Sequence, residues 1–217
     1  IMEKFLNLGS QPLANSYIKK SNLKLKEKKF KLQVGFNKKN YLVSIINTVP
    51  KEKMFNNEYP YKSSESKTMR KSFKDLAKKI KKKYKPNFII EIGSNDGAFL
   101  KNFSKNIAVG VEPCKNLARL TVKKKYKTFS EYWNIKLAKK ITKVKKADLV
   151  YSANTLSHIK KLDEIFSAIN YSLSRNGILV LEDPSLLSCI KNVAYDQFYC
   201  EHIYVFSTNS PLNKMFK

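Results

Sequence analysis

Cysteine, histidine and arginine are all scarce in this chain of 217 residues. Its three cysteines form no Cys-x-x-Cys pair, which argues against a disulfide framework and favours a reducing, cytoplasmic compartment. The sequence also lacks any apolar run of about 18 residues, and its first residues are too few and too polar for a secretory signal. We therefore expect neither a membrane-spanning segment nor an export signal.

Acidic residues are few as well, so the formal net charge is +26. A strongly basic surface attracts nucleic acid, but only Arg70, Arg119 and Arg175 are arginines, the residue type that binds bases and phosphates bidentately. The lysines are spread through every segment. We interpret most of this charge as solvated surface and expect no nucleic-acid partner, although such a field would favour an anionic substrate.

The hydrophobic pattern divides the chain into two predicted domains. Residues 1–65 lack a strong period and predict a small irregular N-terminal lobe, in which residues 41–46 are an extended segment. Residues 66–217 predict an α/β domain that opens with a helix at 67–84, capped by Ser66 and ended by Pro86. Apolar strands then alternate with helices. The predicted strands are 88–92, 107–111, 147–152 and 177–182, and the predicted helices are 98–103, 115–125, 131–141 and 162–173.

This alternation predicts a mostly parallel sheet with helices on both faces. The chain begins at Ile1 and ends within a segment, residues 211–216, whose pattern still predicts a helix. From these ends we expect a fragment of a longer protein, truncated on its C-terminal side.

A glycine-containing turn follows the first predicted strand and indicates a cofactor site. Its sequence is Glu91-Ile-Gly-Ser-Asn-Asp-Gly97, in which Gly93 allows a sharp turn and Gly97 allows a close approach to a ligand. A dinucleotide site prefers Gly-x-Gly-x-x-Gly, but here Asn95 holds the middle position. Glu112 follows the next strand about 20 residues later, where a carboxylate can accept both ribose hydroxyls. The acidic loop and Glu112 together favour S-adenosylmethionine over NAD.

Polar residues that suit proton transfer follow two later strands. Asn154 and His158 come after the strand at 147–152, and Tyr199, Glu201 and His202 follow the last predicted strand. The carboxyl ends of parallel strands face the ligand crevice, so a histidine here can act as a general base near neutral pH. A purely structural role is the usual one for a single histidine, and it stays open for both.

Four segments together resemble the nucleotide-sugar C-methyltransferases, which act on deoxy-4-keto sugars. They are 91–97 (EIGSNDG), 111–113 (VEP), 147–158 (ADLVYSANTLSH) and 196–207 (DQFYCEHIYVFS), and residues 8–18 and 59–66 resemble the family's N-terminal signatures. The resemblance implies a Rossmann-like class I methyltransferase fold, S-adenosylmethionine bound at residues 91–97, Glu112 and Asn154, and a nucleotide-linked sugar substrate.

The resemblance also implies roles for individual residues. His202 would remove the proton beside the C4 ketone, and the resulting enolate would attack the methyl group of the cofactor. Tyr199, Glu201 and His158 would orient the base or stabilise the enolate, and Tyr59 or Tyr61 would reach the sugar from the N-terminal lobe.

The sequence departs from the family at three places. Cys200 replaces the first histidine of the family's Tyr-His-Glu-His. The family's N-terminal lobe binds zinc through two Cys-x-x-Cys pairs, the first of which would precede Ile1, while the second falls at Asn37 and Asn40. Asparagine cannot replace thiolate in a tetrahedral zinc site, so no zinc is expected. The family continues into a C-terminal domain, which is missing from this sequence.

Three alternative functions stay open at this stage. The first is an O- or N-methyltransferase acting on another small molecule, and the second is a nucleic-acid methyltransferase. The second lacks support, since Asn/Asp-Pro-Pro-Tyr/Phe is typical of base-amine methyltransferases where this chain has Ser-Ala-Asn-Thr (residues 152–155). The third is a non-catalytic basic binding module. The sequence does not predict the oligomeric state.

Overall fold

Residues 2–207 are described by a computed structural model, in which they form two compact units. The first unit comprises the described parts of Ile1–Met54, Asn154–Lys160 and Asp183–Lys217, and the second comprises Phe55–Ala153 and Lys161–Glu182. The first unit thus includes two segments from late in the chain, which a linear division after residue 65 does not include. The domain limits at 65 and 66 stay a prediction, and the predicted helix at 211–216 lies outside the described residues.

The second unit is built on a five-stranded parallel sheet. Its strands are β4 (Ile89–Ile92), β5 (Ala108–Val111), β6 (Lys127–Phe129), β7 (Ala147–Ala153) and β8 (Leu173–Glu182), in the spatial order β6-β5-β4-β7-β8. Every residue of the central strand β4 is buried, because the strand has neighbours on both sides and its two faces are covered. The α/β prediction with a mostly parallel sheet is confirmed.

Helices in this unit are α2 (Lys67–Tyr84), α3 (Lys115–Lys123), α4 (Ile135–Ile141) and α5 (Leu162–Ser172). The Ser66 side chain accepts a hydrogen bond from the Met69 amide at 3.2 Å, so it caps α2 as predicted. The buried face of α2 carries Phe73, Ala77 and Ile80, which belong to the core beneath the sheet. The predicted strands and most of the predicted helices are therefore present, with ends shifted by a few residues.

The helix predicted at 98–103 is wrong. The structure has only a short 3₁₀ helix at Leu100–Asn102, followed by irregular chain before β5. The side-chain Nδ2 of Asn102 donates to the carbonyls of Ala98 and Phe99 at 3.3 and 2.9 Å, so a side chain occupies acceptors that a longer helix would use. The glycine turn is consequently not followed by a regular helix with a free N-terminus.

The predicted irregularity of the N-terminal lobe is also wrong, because the first unit contains a four-stranded antiparallel sheet. Its strands are β1 (Met2–Gln11), β2 (Phe30–Asn37), β3 (Leu42–Ile45) and β9 (Tyr204–Val205), in that spatial order. Most of β1 is exposed, and its register with β2 shifts twice, so it leaves no clear alternation in the sequence. Helices α1 (Lys51–Met54) and α6 (Leu186–Lys191) complete this unit. No helix among residues 2–207 is both long and apolar enough to cross a membrane.

Candidate active site

In the second unit, the glycine turn follows β4 and is hydrogen-bonded to the last residue of β5. The amides of Gly93 and Ser94 both donate to the carbonyl of Val111, at 2.8 and 3.1 Å, which fixes the start of the turn over the end of β5. Gly93 and Gly97 have φ angles of 72° and 79°, in the left-handed region where a side chain is strained. Both glycines therefore occupy positions whose backbone conformation favours glycine.

Glu112 follows β5 and turns its carboxylate into this loop. Its Oε2 accepts from the Asn95 amide and its Oε1 from the Cys114 amide, each at 2.8 Å, and the residue is only 5% exposed. Burial raises the pKa of Glu112, while the hydrogen bonds from Cys114 and Asn95 oppose that rise. Each carboxylate oxygen keeps a further lone pair, so the group can still accept from a ribose diol.

Glu91 is the second buried carboxylate of the loop. Its Oε2 has no hydrogen-bond partner among residues 2–207. Burial raises the pKa of Glu91 well above its usual value, the Leu100 amide opposes this, and the nearby Glu112 and Asp96 raise it further. A cationic ligand bound here would lower the pKa of Glu91 again and donate to its unpaired Oε2, so three buried carboxyl groups suit a ligand that carries positive charge. The residues present therefore fit S-adenosylmethionine, with its sulfonium and ammonium groups, better than a pyrophosphate.

Asn95 and Asp96 are tied to the segment that precedes α2. Asn95 Oδ1 accepts from the Ser63 amide at 2.9 Å, and its Nδ2 donates to the Tyr61 carbonyl at 3.1 Å. The Asp96 carboxylate accepts from both the amide and the hydroxyl of Ser64. The Asn95 side chain thus holds the loop in place, and direct contact between that side chain and the cofactor stays a prediction.

The two tyrosines predicted to reach the sugar differ in environment. Tyr59 is 7% exposed and packs with Cys114 and Leu117, which is a core environment. Tyr61 is 44% exposed, and its carbonyl is the acceptor for Asn95. Its phenol is therefore accessible to a ligand, whereas that of Tyr59 is largely enclosed.

His158 and His202 both lie in the first unit, and the hydrogen bonds of His202 define its tautomer. His202 Nδ1 lies 2.9 Å from the carbonyl of Gln197, which can only accept, so Nδ1 carries the proton. Nε2 is then the basic nitrogen, and it accepts from the Tyr199 hydroxyl at 2.9 Å. Burial lowers the pKa of His202, and the Gln197 carbonyl partly offsets this. The ring is therefore neutral near pH 7, as a general base must be.

His158 lies beside this base. The two imidazole rings are stacked with centroids 5.1 Å apart and planes inclined by 27°. Burial and, as the smaller cause, electrostatic repulsion from His202 together lower the pKa of His158 from 6.5 to about 3, since two cations cannot share this space. His158 is thus a neutral neighbour that covers one face of the base.

The remaining predicted residues of this unit are placed differently. Glu201 is 1% exposed, and its Oε1 accepts from the side-chain Nδ2 of Asn15 at 2.8 Å, which ties it to the N-terminal segment. Asn154 is exposed and has a φ angle of 46°. Cys200 is buried, and burial raises the pKa of its thiol. The roles of Glu201 and Asn154 in catalysis and cofactor binding stay predictions.

Sequence reasoning missed residues that support the site. The backbone carbonyl of Gln197 selects the His202 tautomer, and no side-chain pattern could reveal a carbonyl. Ser63 and Ser64 hold the glycine turn from a segment noted only for its tyrosines. Asp183, whose Oδ1 accepts from the Ser157 amide at 3.1 Å, could have been found, because it directly follows the last parallel strand.

Comparison with known proteins identifies the family. A family model described as "Methyltransferase domain" matches residues 61–217, so the chain belongs to the methyltransferase-domain family. A second model, described as "Putative zinc binding domain", matches residues 1–55. That stretch contains no cysteine and no histidine, and no group of three or more metal-ligating side chains occurs among residues 2–207. The residues present therefore do not fit a structural zinc site.

Individual relatives agree with this family. The chain is 25% identical over 211 residues to the C-methyltransferase NovU of Streptomyces niveus, covering 94% of this chain and 50% of that protein. The chain thus spans about half the length of the curated relative it matches.

Two solved structures share the fold. The plantazolicin methyltransferase BpumL, solved with SAH, has a TM-score of 0.54 at 15% identity, covering 70% of this chain and 63% of that one. A SAM-dependent methyltransferase from Archaeoglobus fulgidus has a TM-score of 0.52 at 18% identity, covering 68% and 66%.

Proposed function

We propose that this chain is the catalytic part of an S-adenosylmethionine-dependent C-methyltransferase that acts on a nucleotide-linked 4-keto-deoxysugar. The observation that carries the proposal is the tautomer of His202, whose Nε2 is the free base and faces the hydroxyl of Tyr199. Methylation at carbon needs such a base, because a C–H proton must be removed first. The likeness to a C-methyltransferase and the acidic glycine turn support the same assignment.

In the proposed reaction, His202 acts as the base and Tyr199 stabilises the enolate. His202 Nε2 takes the proton from the carbon beside the ketone, and the electron pair of that C–H bond becomes the enolate. As the sugar binds, the hydrogen bond from the Tyr199 hydroxyl to Nε2 breaks. The hydroxyl then donates to the ketone oxygen, where negative charge develops. When bound at residues 91–97 and Glu112, S-adenosylmethionine supplies an electrophilic methyl group to the enolate carbon. The net charge of +26 favours the anionic nucleotide.

Two measurements test this function. S-adenosylmethionine should raise the melting temperature of the chain, because a ligand that binds only the native state stabilises it. The variant His202→Ala should keep that rise but lose deuterium exchange at the sugar carbon beside the ketone, while Tyr199→Phe should slow exchange by roughly 10- to 100-fold. Exchange that survives in His202→Ala would remove the residue from this role. Methyl transfer to oxygen or nitrogen without any exchange would favour the alternative acceptors.

We further propose that the N-terminal sheet folds without zinc. At the turn between β2 and β3, Asn37 Oδ1 accepts from the Lys39 amide at 2.9 Å and Asn40 Oδ1 accepts from the Leu42 amide at 3.2 Å. These side chains close the hairpin by local hydrogen bonds, a use for which asparagine is well suited.

A chelator therefore should leave the melting temperature unchanged, and metal analysis should find less than one zinc per chain. Asn40→Ala should destabilise the chain by about 1 kcal/mol, and Asn40→Asp, which keeps the acceptor, should not. Stoichiometric zinc or a loss of structure in chelator would contradict the proposal.

A further inference from the structure

Residues 154–160 carry His158, and two side chains of the segment after β8 hold this stretch. In its middle, the chain forms the 3₁₀ helix Leu156–His158, in which Leu156 and Ser157 are completely buried. The amide of Ser157, the middle residue of this helix, donates to Asp183 Oδ1 at 3.1 Å. At the end of the stretch, the Tyr204 hydroxyl donates to the Lys160 carbonyl at 2.9 Å. These two hydrogen bonds and the burial restrict the conformation of this short segment.

The Asp183 contact is the more restrictive of the two. A hydrogen bond from a backbone amide to a carboxylate is charge-assisted and stronger than a neutral one. It is also made to the residue directly before His158, so a displacement of the acceptor changes the direction in which that side chain leaves the backbone. The Tyr204 contact is made two residues beyond His158 and uses an exposed neutral pair.

The orientation of His158 in turn sets the surroundings of the base. Its ring lies against one face of the His202 ring at a centroid distance of 5.1 Å, and Tyr199 lies 4.2 Å from the same ring. His202 therefore has neighbours that restrict rotation of its imidazole, and Nε2 keeps one direction. If His158 turned away, one of these neighbours would be lost.

We propose that Asp183 is a positioning residue for the base: its carboxylate fixes the 3₁₀ helix Leu156–His158, and this helix holds the imidazole of His158 against that of His202. Its effect on catalysis rests on the proposed function, while its effect on the two rings does not.

The test uses the fact that the chain has only two histidines. With ¹⁵N-labelled histidine, NMR of the full chain gives one set of ring signals for each residue, and these report tautomer and environment. Asp183→Ala removes the acceptor, and we expect the signals of both rings to shift. Asp183→Asn keeps an acceptor oxygen at the same place, and its signals should remain as in the wild type. Asp75→Ala, at an exposed position on α2, makes the same chemical change as a matched control.

A third variant covers the case in which Asp183→Ala does not fold. Asp183→Glu keeps the charge but moves the oxygen by one methylene group, so it should shift both sets of ring signals. Unchanged signals in Asp183→Ala, or in Asp183→Glu if the alanine variant is unfolded, would overturn the proposal. Equal shifts in Asp183→Asn would also overturn it, because charge and not the placed acceptor would then be responsible.

Kinetics separate this proposal from the proposed function. Where the wild type methylates the keto-sugar, Asp183→Ala should lower kcat by roughly 10- to 100-fold, the size of effect that a misplaced group produces, with the KM for S-adenosylmethionine unchanged. Asp183→Asn, which keeps the acceptor oxygen, should have a kcat close to that of the wild type. If the wild type shows no methyl transfer, the proposed function fails, and the ring signals alone still decide the role of Asp183.

Discussion

At the scale of single residues, a backbone carbonyl decides which nitrogen of the candidate base carries the proton. The Gln197 carbonyl selects the tautomer of His202, and a hydroxyl three residues away occupies its basic nitrogen. A tautomer chosen by the main chain cannot be changed by replacing the side chain of Gln197. The arrangement therefore tolerates sequence variation at that residue while keeping Nε2 as the base.

The buried histidine pair makes stability depend on pH. His158 has a pKa of about 3 in the folded chain, against 6.5 when unfolded, so the unfolded state binds more protons between these values. The contribution of His158 to stability is complete above pH 6.5 and is lost as the pH falls toward 3. We expect His158→Gln to give a melting temperature that declines less steeply with acid than that of the wild type. Parallel curves for the two proteins, measured by calorimetry from about pH 4 to pH 8, would contradict this.

At the scale of the elements, the buried strands of the parallel sheet were predictable, and the exposed or very short strands were not. A continuous apolar run such as β4 indicates a strand in a sheet that is covered on both faces, and such runs are visible in the sequence. The edge strand β6 was missed because three residues with an exposed lysine leave no period. Strand β1 was missed because its exposed, bulged course hides the alternation. The glycine turn was found, but the serines that hold it were not, since their contacts lie with a segment distant in sequence.

Gly97 of the glycine turn can be compared with Gly9 of β1, because both have a positive φ angle. A Cβ atom at Gly97 would lie 3.1 Å from Cγ2 and 3.2 Å from Oγ1 of Thr121, whereas a Cβ at Gly9 would meet nothing within 4 Å. Both substitutions to alanine carry the left-handed backbone penalty of about 1–2 kcal/mol. Gly97→Ala should cost about 1 kcal/mol more in the free energy of unfolding, because Thr121 must move.

Urea titration of the two variants measures this difference. Gly97→Ala should also reduce the rise in melting temperature that S-adenosylmethionine produces, whereas Gly9→Ala should leave that rise intact. Equal losses of stability in both variants, with cofactor binding intact, would show that the close approach at Gly97 is not under constraint.

At the scale of the whole molecule, like charges dominate the electrostatics. The chain has 43 basic residues against 17 acidic ones, and ion pairs such as Lys140–Glu131 at 3.2 Å and Lys161–Glu164 at 2.6 Å are exposed. Exposed pairs contribute little, so repulsion among the lysines outweighs them.

Salt should therefore stabilise this protein. As sodium chloride rises from about 0.01 M to about 1 M, the Debye length falls from about 30 Å to about 3 Å, and the repulsion is screened. We expect the melting temperature at pH 7 to rise over this range, with most of the rise at the lower concentrations. A steady fall with added salt would mean that the exposed ion pairs contribute more than the excess of lysine costs.

The pairing of β3 with β9 has a consequence for how the protein is made. Val43 emerges from the ribosome early, but its partner Val205 is synthesised only after the entire parallel sheet of the second unit. The antiparallel sheet of the first unit is thus completed after the parallel sheet, although strands β1 to β3 are translated before it. Until then the growing chain presents a hydrogen-bonding edge at β3 to other nascent chains, and the interval during which it does so is set by the speed of translation.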